Sequence, residues 1–260
     1  MPPMQKPQHI VALSGGKDST AMALALQEFE PLSNAPGRGY RYVITPTGNE
    51  LPEMFAHWAL LEELLGAPLE VLGQRTLEDL MEAQECLPST RMRWCTRMLK
   101  IEPVERFYRA LPPGSIAYVG LRADEPEREG IFGSAVKQRF PLKEWGWTLQ
   151  DVKAYLKARG VKIPPRTDCA WCPYQSADDW YRLWRNHPDL FARAEAWEET
   201  IGRTFRSPTA KHGRWAVSLK DMRLQFESGM VTREEKARQK RLGQVEAEDD
   251  DEEACRVCRL

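Results

Sequence analysis

Residues 10–20 of this 260-residue chain, Ile-Val-Ala-Leu-Ser-Gly-Gly-Lys-Asp-Ser-Thr, constrain its fold and its chemistry together. An apolar run of strand type breaks into a Ser-Gly-Gly turn and restarts at once as a helix-forming segment rich in Ala and Leu. Gly15 and Gly16 let the backbone bend sharply and present its N–H groups. A helix starting near Asp18 brings the positive end of its macrodipole to the same point. Such a turn suits an anion, above all a phosphate. The Walker spacing, Gly and four residues before Gly-Lys-Ser/Thr, does not occur, which disfavours an ordinary kinase or NTPase.

The rest of the first half repeats the same alternation. A helix is predicted over 19–30, stopped by Pro31, then a Gly/Pro/Asn-rich loop over 31–39 and a strand at 40–44. A helix over 52–65, a strand at 69–72, helices over 76–84 and 100–111 and a buried strand at 115–120 follow. Strand and helix in alternation predict a doubly wound, mostly parallel α/β sheet over 1–140, whose ligands sit beyond the carboxyl ends of its strands. Leu13-Ser14 lies at such an end. After Pro141 the texture changes to a helical subdomain over 141–231, with helices predicted at 148–159, 177–186 and 189–203. Trp145, Trp147, Trp171, Trp180, Trp184 and Trp197 crowd this part, for packing more readily than as a base-stacking platform. Residues 232–260 form a charged tail in which little order is expected.

A chain of this length buries a substantial core without disulfide staples. No signal-like leader and no apolar window of about 18 residues is evident, so a cytoplasmic protein with no membrane partner is expected, its six cysteines reduced or metal-bound. The formal net charge is −1, but seven acids fall within residues 246–253, so the remainder carries +6. A basic body suits a nucleotide or a nucleic-acid acceptor, and the acidic tail either competes for that surface or merely solubilises the protein.

Five segments, in order, carry a family resemblance over about residues 9–175. Ser14-Gly15-Gly16-Lys17-Asp18-Ser19 resembles the Ser-Gly-Gly-x-Asp-Ser loop of the PP-loop ATP pyrophosphatases. Thr47-Gly48-Asn49-Glu50-Leu51-Pro52-Glu53 and Cys95-Thr96-Arg97-Met98-Leu99-Lys100-Ile101-Glu102-Pro103 resemble segments of the phosphoadenosine phosphosulfate (PAPS) reductase branch. So do Gly120-Leu121-Arg122 with Arg128, and Pro141-Leu142-x-x-Trp145 with its continuation to Ile163-Pro164. The resemblance implies an adenine nucleotide alpha hydrolase-like fold and an enzyme binding ATP, or PAPS or adenosine phosphosulfate (APS), with Mg²⁺. It implies nucleotide contacts from Ser14, Gly15, Gly16, Lys17, Asp18, Ser19, Thr47, Gly48 and Arg128, and catalytic roles for Lys17, Asp18, Cys95, Lys100 and Arg122. Lys17 and the loop amides would neutralise phosphate charge, and Asp18 would help hold Mg²⁺.

The cysteines bear on the chemistry. Cys169-Ala170-Trp171-Cys172 can place two thiolates on one metal, and the resemblance aligns Cys95 with a third ligand of the [4Fe–4S] cluster of some members. Cys86, Cys255 or Cys258 is available as a fourth ligand, which makes structural zinc equally plausible. Three departures stand out: Thr96 replaces the second cysteine of the family pair, Pro46 replaces an acid, and the C-terminal Glu-Cys-Gly-Leu-His element carrying the reductase nucleophile is missing. The expected function is therefore ATP-dependent sulfur transfer, adenylation followed by thiolation, to a nucleic acid or small acceptor with a sulfur donor protein. The alternatives are PAPS or APS reduction with a thioredoxin-like reductant, the tail pair Cys255 and Cys258 standing in as redox thiols, and a non-catalytic nucleotide-binding module with a structural metal.

Overall fold

The computed structural model describes residues 6–32, 39–130 and 134–242. The apolar runs form β1 (His9–Leu13), β2 (Tyr40–Ile44), β3 (Leu69–Val71) and β4 (Ile116–Tyr118), and a fifth strand, β5 (Lys137–Arg139), completes one sheet in the order β3-β2-β1-β4-β5. All four pairings are parallel, His9 facing Tyr40 on one side and Ile116 on the other. From β1 the chain winds outward to β2 and β3, then returns to place β4 on the opposite flank. The strand order thus reverses between β1 and β4, and the crevice beyond their carboxyl ends is where such a sheet takes its ligands.

Both faces of the sheet are covered. Val11, Leu13, Tyr42, Ile44 and Tyr118 point into a core shared with α1 (Lys17–Phe29), α2 (Pro52–Leu65) and, later in the chain, α5 (Pro141–Glu144) and α6 (Leu149–Ala158). Ile10, Val43 and Ala117, the alternate residues, face Tyr108 of α4 (Glu102–Arg109). In α1 every residue from Ser19 to Leu26 is buried, which its small and apolar side chains permit. α2 buries Met54, His57, Trp58, Leu61 and Leu65 at helical spacing. Because Leu142, Val152, Tyr155, Leu156 and Val161 join the first core, packing runs on across residue 140, where the composition changes.

A second core gathers α3 (Leu77–Gln84), α7 (Ala177–Asn186), α8 (Pro188–Ile201) and α9 (Leu219–Glu227) around Trp171, Trp180, Phe191 and Phe205. Trp171 and Trp180 are fully buried and Trp145, Trp147, Trp184 and Trp197 pack against core residues, so the tryptophans are packing groups and form no stacking platform.

Three local expectations change. The helix expected over 100–111 opens earlier, as one π-helical turn at Thr96–Ile101 that runs into α4. Such turns insert an extra residue into the helical repeat and are frequent at functional sites. The polar triplet of β5 gave no strand signal; it is held by pairing with β4 and by Arg139, which bonds Glu30 and Glu144. Finally, the charged segment after 232 is helical in its first part, as α10 (Arg233–Leu242). Among the described residues no helix is long and apolar enough to cross a membrane.

Candidate functional site

The glycine turn sits at the carboxyl end of β1, at the switch point. Gly15 has φ +81°, a left-handed conformation open to glycine, and a Cβ there would stand 2.6 Å from Trp58 Nε1 and 2.7 Å from Met54 Cε. Gly16 caps α1 without a side-chain bond, so among the described residues the first amides of that helix have no side-chain cap. Ser14 Oγ accepts from the Gly16 amide at 3.2 Å and lies 3.0 Å from Ser19 Oγ, which donates to the Gly16 carbonyl at 3.1 Å. The two serines thus hold the turn in shape across the mouth of the helix. Ser14 is exposed, whereas Gly15 and Gly16 are buried.

The carboxyl end of β4 closes the other side of the crevice. A Cβ on Gly120 would lie 3.0 Å from the backbone of Ser19, so only glycine lets this strand end pass against the first turn of α1. Two residues on, Arg122 Nη1 donates to Asp18 Oδ2 at 2.7 Å and the same guanidinium meets Asp124 at 2.8 Å and Glu125 at 3.4 Å. Arg128 pairs with Glu125 at 2.9 Å and so belongs to this carboxylate network. Burial raises the Asp18 carboxyl above its usual range, and Arg122 and Lys17 oppose that rise. Asp18 Oδ1 is buried and has no hydrogen-bond partner among the described residues, a vacant hard oxygen beside the turn.

The segment after β2 links this crevice to the thiols. Thr47 is buried, and its amide and hydroxyl both donate to Glu50 Oε1 at 2.7 Å. Gly48 packs on Thr76, the N-cap of α3, and the Leu77 amide donates to the Thr47 carbonyl at 2.7 Å. Glu50 pairs with Cys169 in an antiparallel bridge, the Ala170 amide donates to the Asn49 carbonyl at 2.7 Å, and Asn49 Nδ2 donates to Cys169 Sγ at 3.5 Å. Cys95, Cys169 and Cys172 line one solvent-open pocket of about 390 Å³ together with Thr47, Thr96, Lys100 and Asp168. Burial pushes the Cys169 thiol up to about 11 and the Cys172 thiol to about 12. The Glu50 charge adds to the first; Cys169 and Asp168 add to the second.

A model of the phosphoadenosine phosphosulfate reductase domain matches residues 8–170, well over half of the chain. The chain belongs to the PAPS reductase domain family. The match spans the glycine turn, the Thr47-Gly48 segment, Cys95, Arg122 and Cys169, and ends one residue past that cysteine; Cys172 and α7 to α10 lie outside it. No curated protein matches the chain in sequence. Among solved structures, it is similar to a PAPS reductase from Candida auris in complex with phosphate, at 18% identity and a TM-score of 0.48, over 61% of this chain and 75% of that one. It is also similar to the U34-tRNA thiolase NcsA from Methanococcus maripaludis with its [4Fe–4S] cluster, at 15% identity and a TM-score of 0.45, over 79% and 77%.

Within this PAPS reductase domain the expected residues fall into two adjoining groups. Ser14 to Ser19 and Arg122 stand at the turn, with Arg128 beside them. Lys100 lines the thiol pocket, while Cys86 is absent from its lining and donates to the Leu87 carbonyl. Cys255 and Cys258 lie outside the described residues. Among the described residues no three His, Cys, Asp or Glu side chains stand together as ligands for one ion. Sequence reasoning missed Asn49 and Glu50 beside Cys169, Trp58 under Gly15, and the strap Arg166-Thr167-Asp168. Trp58 was findable, as an apolar position one turn after Met54 on a helix leaving the Thr47 segment. The strap carries no motif, and only tertiary contact singles it out.

Proposed function

We propose that this PAPS reductase-like chain is an ATP-dependent sulfur-transfer enzyme that adenylates an oxygen of its acceptor, a nucleic acid by preference, and replaces it with sulfur. One observation carries the reading: the phosphate-type turn and a three-cysteine pocket adjoin, joined through the Glu50–Cys169 bridge and the strap that runs past Gly16. In the first step the acceptor oxygen attacks the α-phosphorus of ATP, the bond to the β-phosphate bridging oxygen breaks, and pyrophosphate leaves. A hydrosulfide from a sulfur donor protein then attacks the carbon bearing the adenylate, and AMP departs with the oxygen. The sequence is redox-neutral.

The chain's own groups serve that chemistry as follows. The loop amides, the α1 N-terminus and Lys17 neutralise the polyphosphate, and Arg122 fixes the Asp18 carboxylate by its 2.7 Å bond. Asp18 Oδ1, without a hydrogen-bond partner among the described residues, is the oxygen that would hold Mg²⁺, whose charge would assist pyrophosphate departure. Cys95, Cys169 and Cys172 are three soft donors lining one pocket; their chemistry suits an iron–sulfur cluster or zinc, but they do not stand together as ligands for one ion, so the three sulfurs would have to draw in to hold either group. Either would offer a site for sulfur at that pocket. The raised thiols keep both CxxC sulfurs protonated until a metal displaces the protons.

Family membership favours a second reading, reduction of PAPS or APS to sulfite with a thioredoxin-like reductant. One experiment separates the two. Anaerobically purified full-length protein is incubated with α-labelled ATP, Mg²⁺, sulfide and unmodified tRNA or DNA, and in parallel with PAPS and reduced thioredoxin. Sulfur transfer yields pyrophosphate, AMP and thiolated acceptor; reduction yields sulfite. ATP bound and returned intact with every acceptor, with no sulfite, would leave only a nucleotide-binding module and overturn both.

A further inference from the structure

Residues 161–170 cross from one core to the site as a strap fixed at both ends. Val161 is buried in the α1–α6 core, and Ala170 is buried and bonded to Asn49. Between them Arg166 Nη2 donates to the Cys169 carbonyl at 3.2 Å and its Nη1 lies 3.8 Å from Asp179. With its ends and its arginine held, the strap has little freedom to choose what Thr167 faces. It faces the turn: a Cβ on Gly16 would stand 3.6 Å from Thr167 Oγ1.

Three successive residues of this strap keep a buried polar atom without a partner among the described residues: Arg166 Nε, Thr167 Oγ1 and Asp168 Oδ1. Asp18 Oδ1 and Thr20 Oγ1 in the first turns of α1 and Trp58 Nε1 beneath Gly15 share that condition, and Trp58 and Thr20 are themselves at least nine-tenths buried. Buried polar groups are rarely left unbonded, because each gives up its hydration for nothing. Of these, Thr167 Oγ1 lies against Gly16, Trp58 Nε1 lies against Gly15 and Asp18 stands in the first turn of α1, so several of them gather at one helix N-terminus and mark a place completed by a ligand. The donors Thr167 Oγ1 and Trp58 Nε1, with an α1 N-terminus that has no side-chain cap, call for an anion with several oxygens.

We propose that Thr167 is a further nucleotide-binding residue, its hydroxyl donating to a phosphate oxygen seated at Gly16. This deepens the reading of the turn as a nucleotide site and rests on it. Because Cys169 follows two residues later, the phosphate that Thr167 contacts is the one on the thiol side of the nucleotide.

The test uses the full chain and its Thr167→Val and Thr167→Ser variants. Each is titrated with Mg-ATP, with PAPS and with adenosine, the last having no phosphate, and thermal melts confirm the fold. Loss of a hydrogen bond to a charged group predicts about tenfold to a hundredfold weaker binding of the phosphorylated ligand by Val, near-full recovery by Ser, and unchanged adenosine affinity. Wild-type binding undiminished in Thr167→Val overturns the assignment of Thr167 alone. Adenosine weakened as much as ATP overturns it too, by showing a role in shape. A wild-type chain that binds neither ATP nor PAPS overturns the nucleotide reading and this inference with it. Should Val unfold the protein, the Ser variant decides: a loss with Ser as large as that from deleting phosphate refutes a contact that any hydroxyl supplies.

Discussion

At the scale of single residues the turn sets conformational freedom against chemistry. Gly15 has left-handed φ and no room for a Cβ, so Gly15→Ala should destabilise the protein by about 2 to 4 kcal/mol, the sum of backbone strain and overpacking against Trp58 and Met54. Gly16, at φ −73°, meets only Ser14 Oγ at 3.3 Å and Thr167 Oγ1 at 3.6 Å, so Gly16→Ala should lose about 1 kcal/mol. Denaturant unfolding of both variants checks the contrast; equal losses would mean that the positive φ at Gly15 is not enforced. Asp18 differs in kind, its role working against stability. Its folded-state carboxyl titrates above the unfolded value of 3.8, so the folded chain holds that proton more tightly. The resulting stabilisation is complete below the unfolded value and is lost as pH rises through the folded one. Asp18→Asn removes that loss. It should flatten the fall in stability on the acid side, leave the neutral-pH protein at least as stable, and lower pyrophosphate release about a hundredfold. Parallel melts from pH 4 to 8 and turnover at pH 7.5 are the measurement, and a variant both less stable at neutral pH and fully active would contradict the assignment.

Elements are fixed in this protein by a few buried polar contacts as much as by apolar area. The docking of α10 on α7 is the clearest case. Asp178, 1% exposed, forms an ion pair with Arg182 Nε at 2.9 Å and accepts from Arg238 Nη2 at 3.2 Å and from the Thr232 hydroxyl, and Arg185 pairs with Glu235. α10 has a sequence too polar to hold itself down, so its order depends on this carboxylate. Asp178→Ala leaves two guanidinium groups without their buried partner. The loss should be about 2 to 3 kcal/mol, below that of a wholly buried pair because both arginines reach solvent. Hydrogen exchange should then speed up over 233–242 while β1 and β4 stay protected. Unchanged protection of α10 would show that it is held by something other than Asp178.

For the whole molecule, the sheet and the turn were readable because each rests on a local signal: apolar runs of strand length, a glycine pair, and helices with one small or apolar face. Arg139 in β5 and Asp178 under α10 could not be read, since besides a near neighbour each acts through a partner more than 50 residues away in the chain, Glu30 for the one and Arg238 for the other. Thr167 was hidden for the same reason. That Cys95 lines one pocket with Cys169 and Cys172 follows from no spacing in this chain; a metal bound by all three is what the family resemblance implies, and among the described residues the three do not stand together as its ligands. A metal that drew the three thiols together would have a global consequence. Cys95 stands before the π-helical turn of Thr96–Ile101, and Cys169 and Cys172 follow the strap, so a metal held by all three would tie the segment between β3 and β4 to the entry of the helical half. A ligand present at a hundredfold over its dissociation constant stabilises the folded state by about 2.7 kcal/mol. For a chain of this size that is a rise of about 5 to 10 °C in melting temperature. Anaerobically purified protein should therefore contain iron or zinc, and should lose it and that margin together on chelation. Cys95→Ser, Cys169→Ser and Cys172→Ser should each lower metal content and melt near the chelated wild type, while Cys86→Ser, outside the pocket, should keep both. Full metal stoichiometry in all three pocket variants would separate the thiols from any metal. Intact metal in Cys95→Ser alone would confine the site to the CxxC loop and leave the two halves of the molecule joined by packing only.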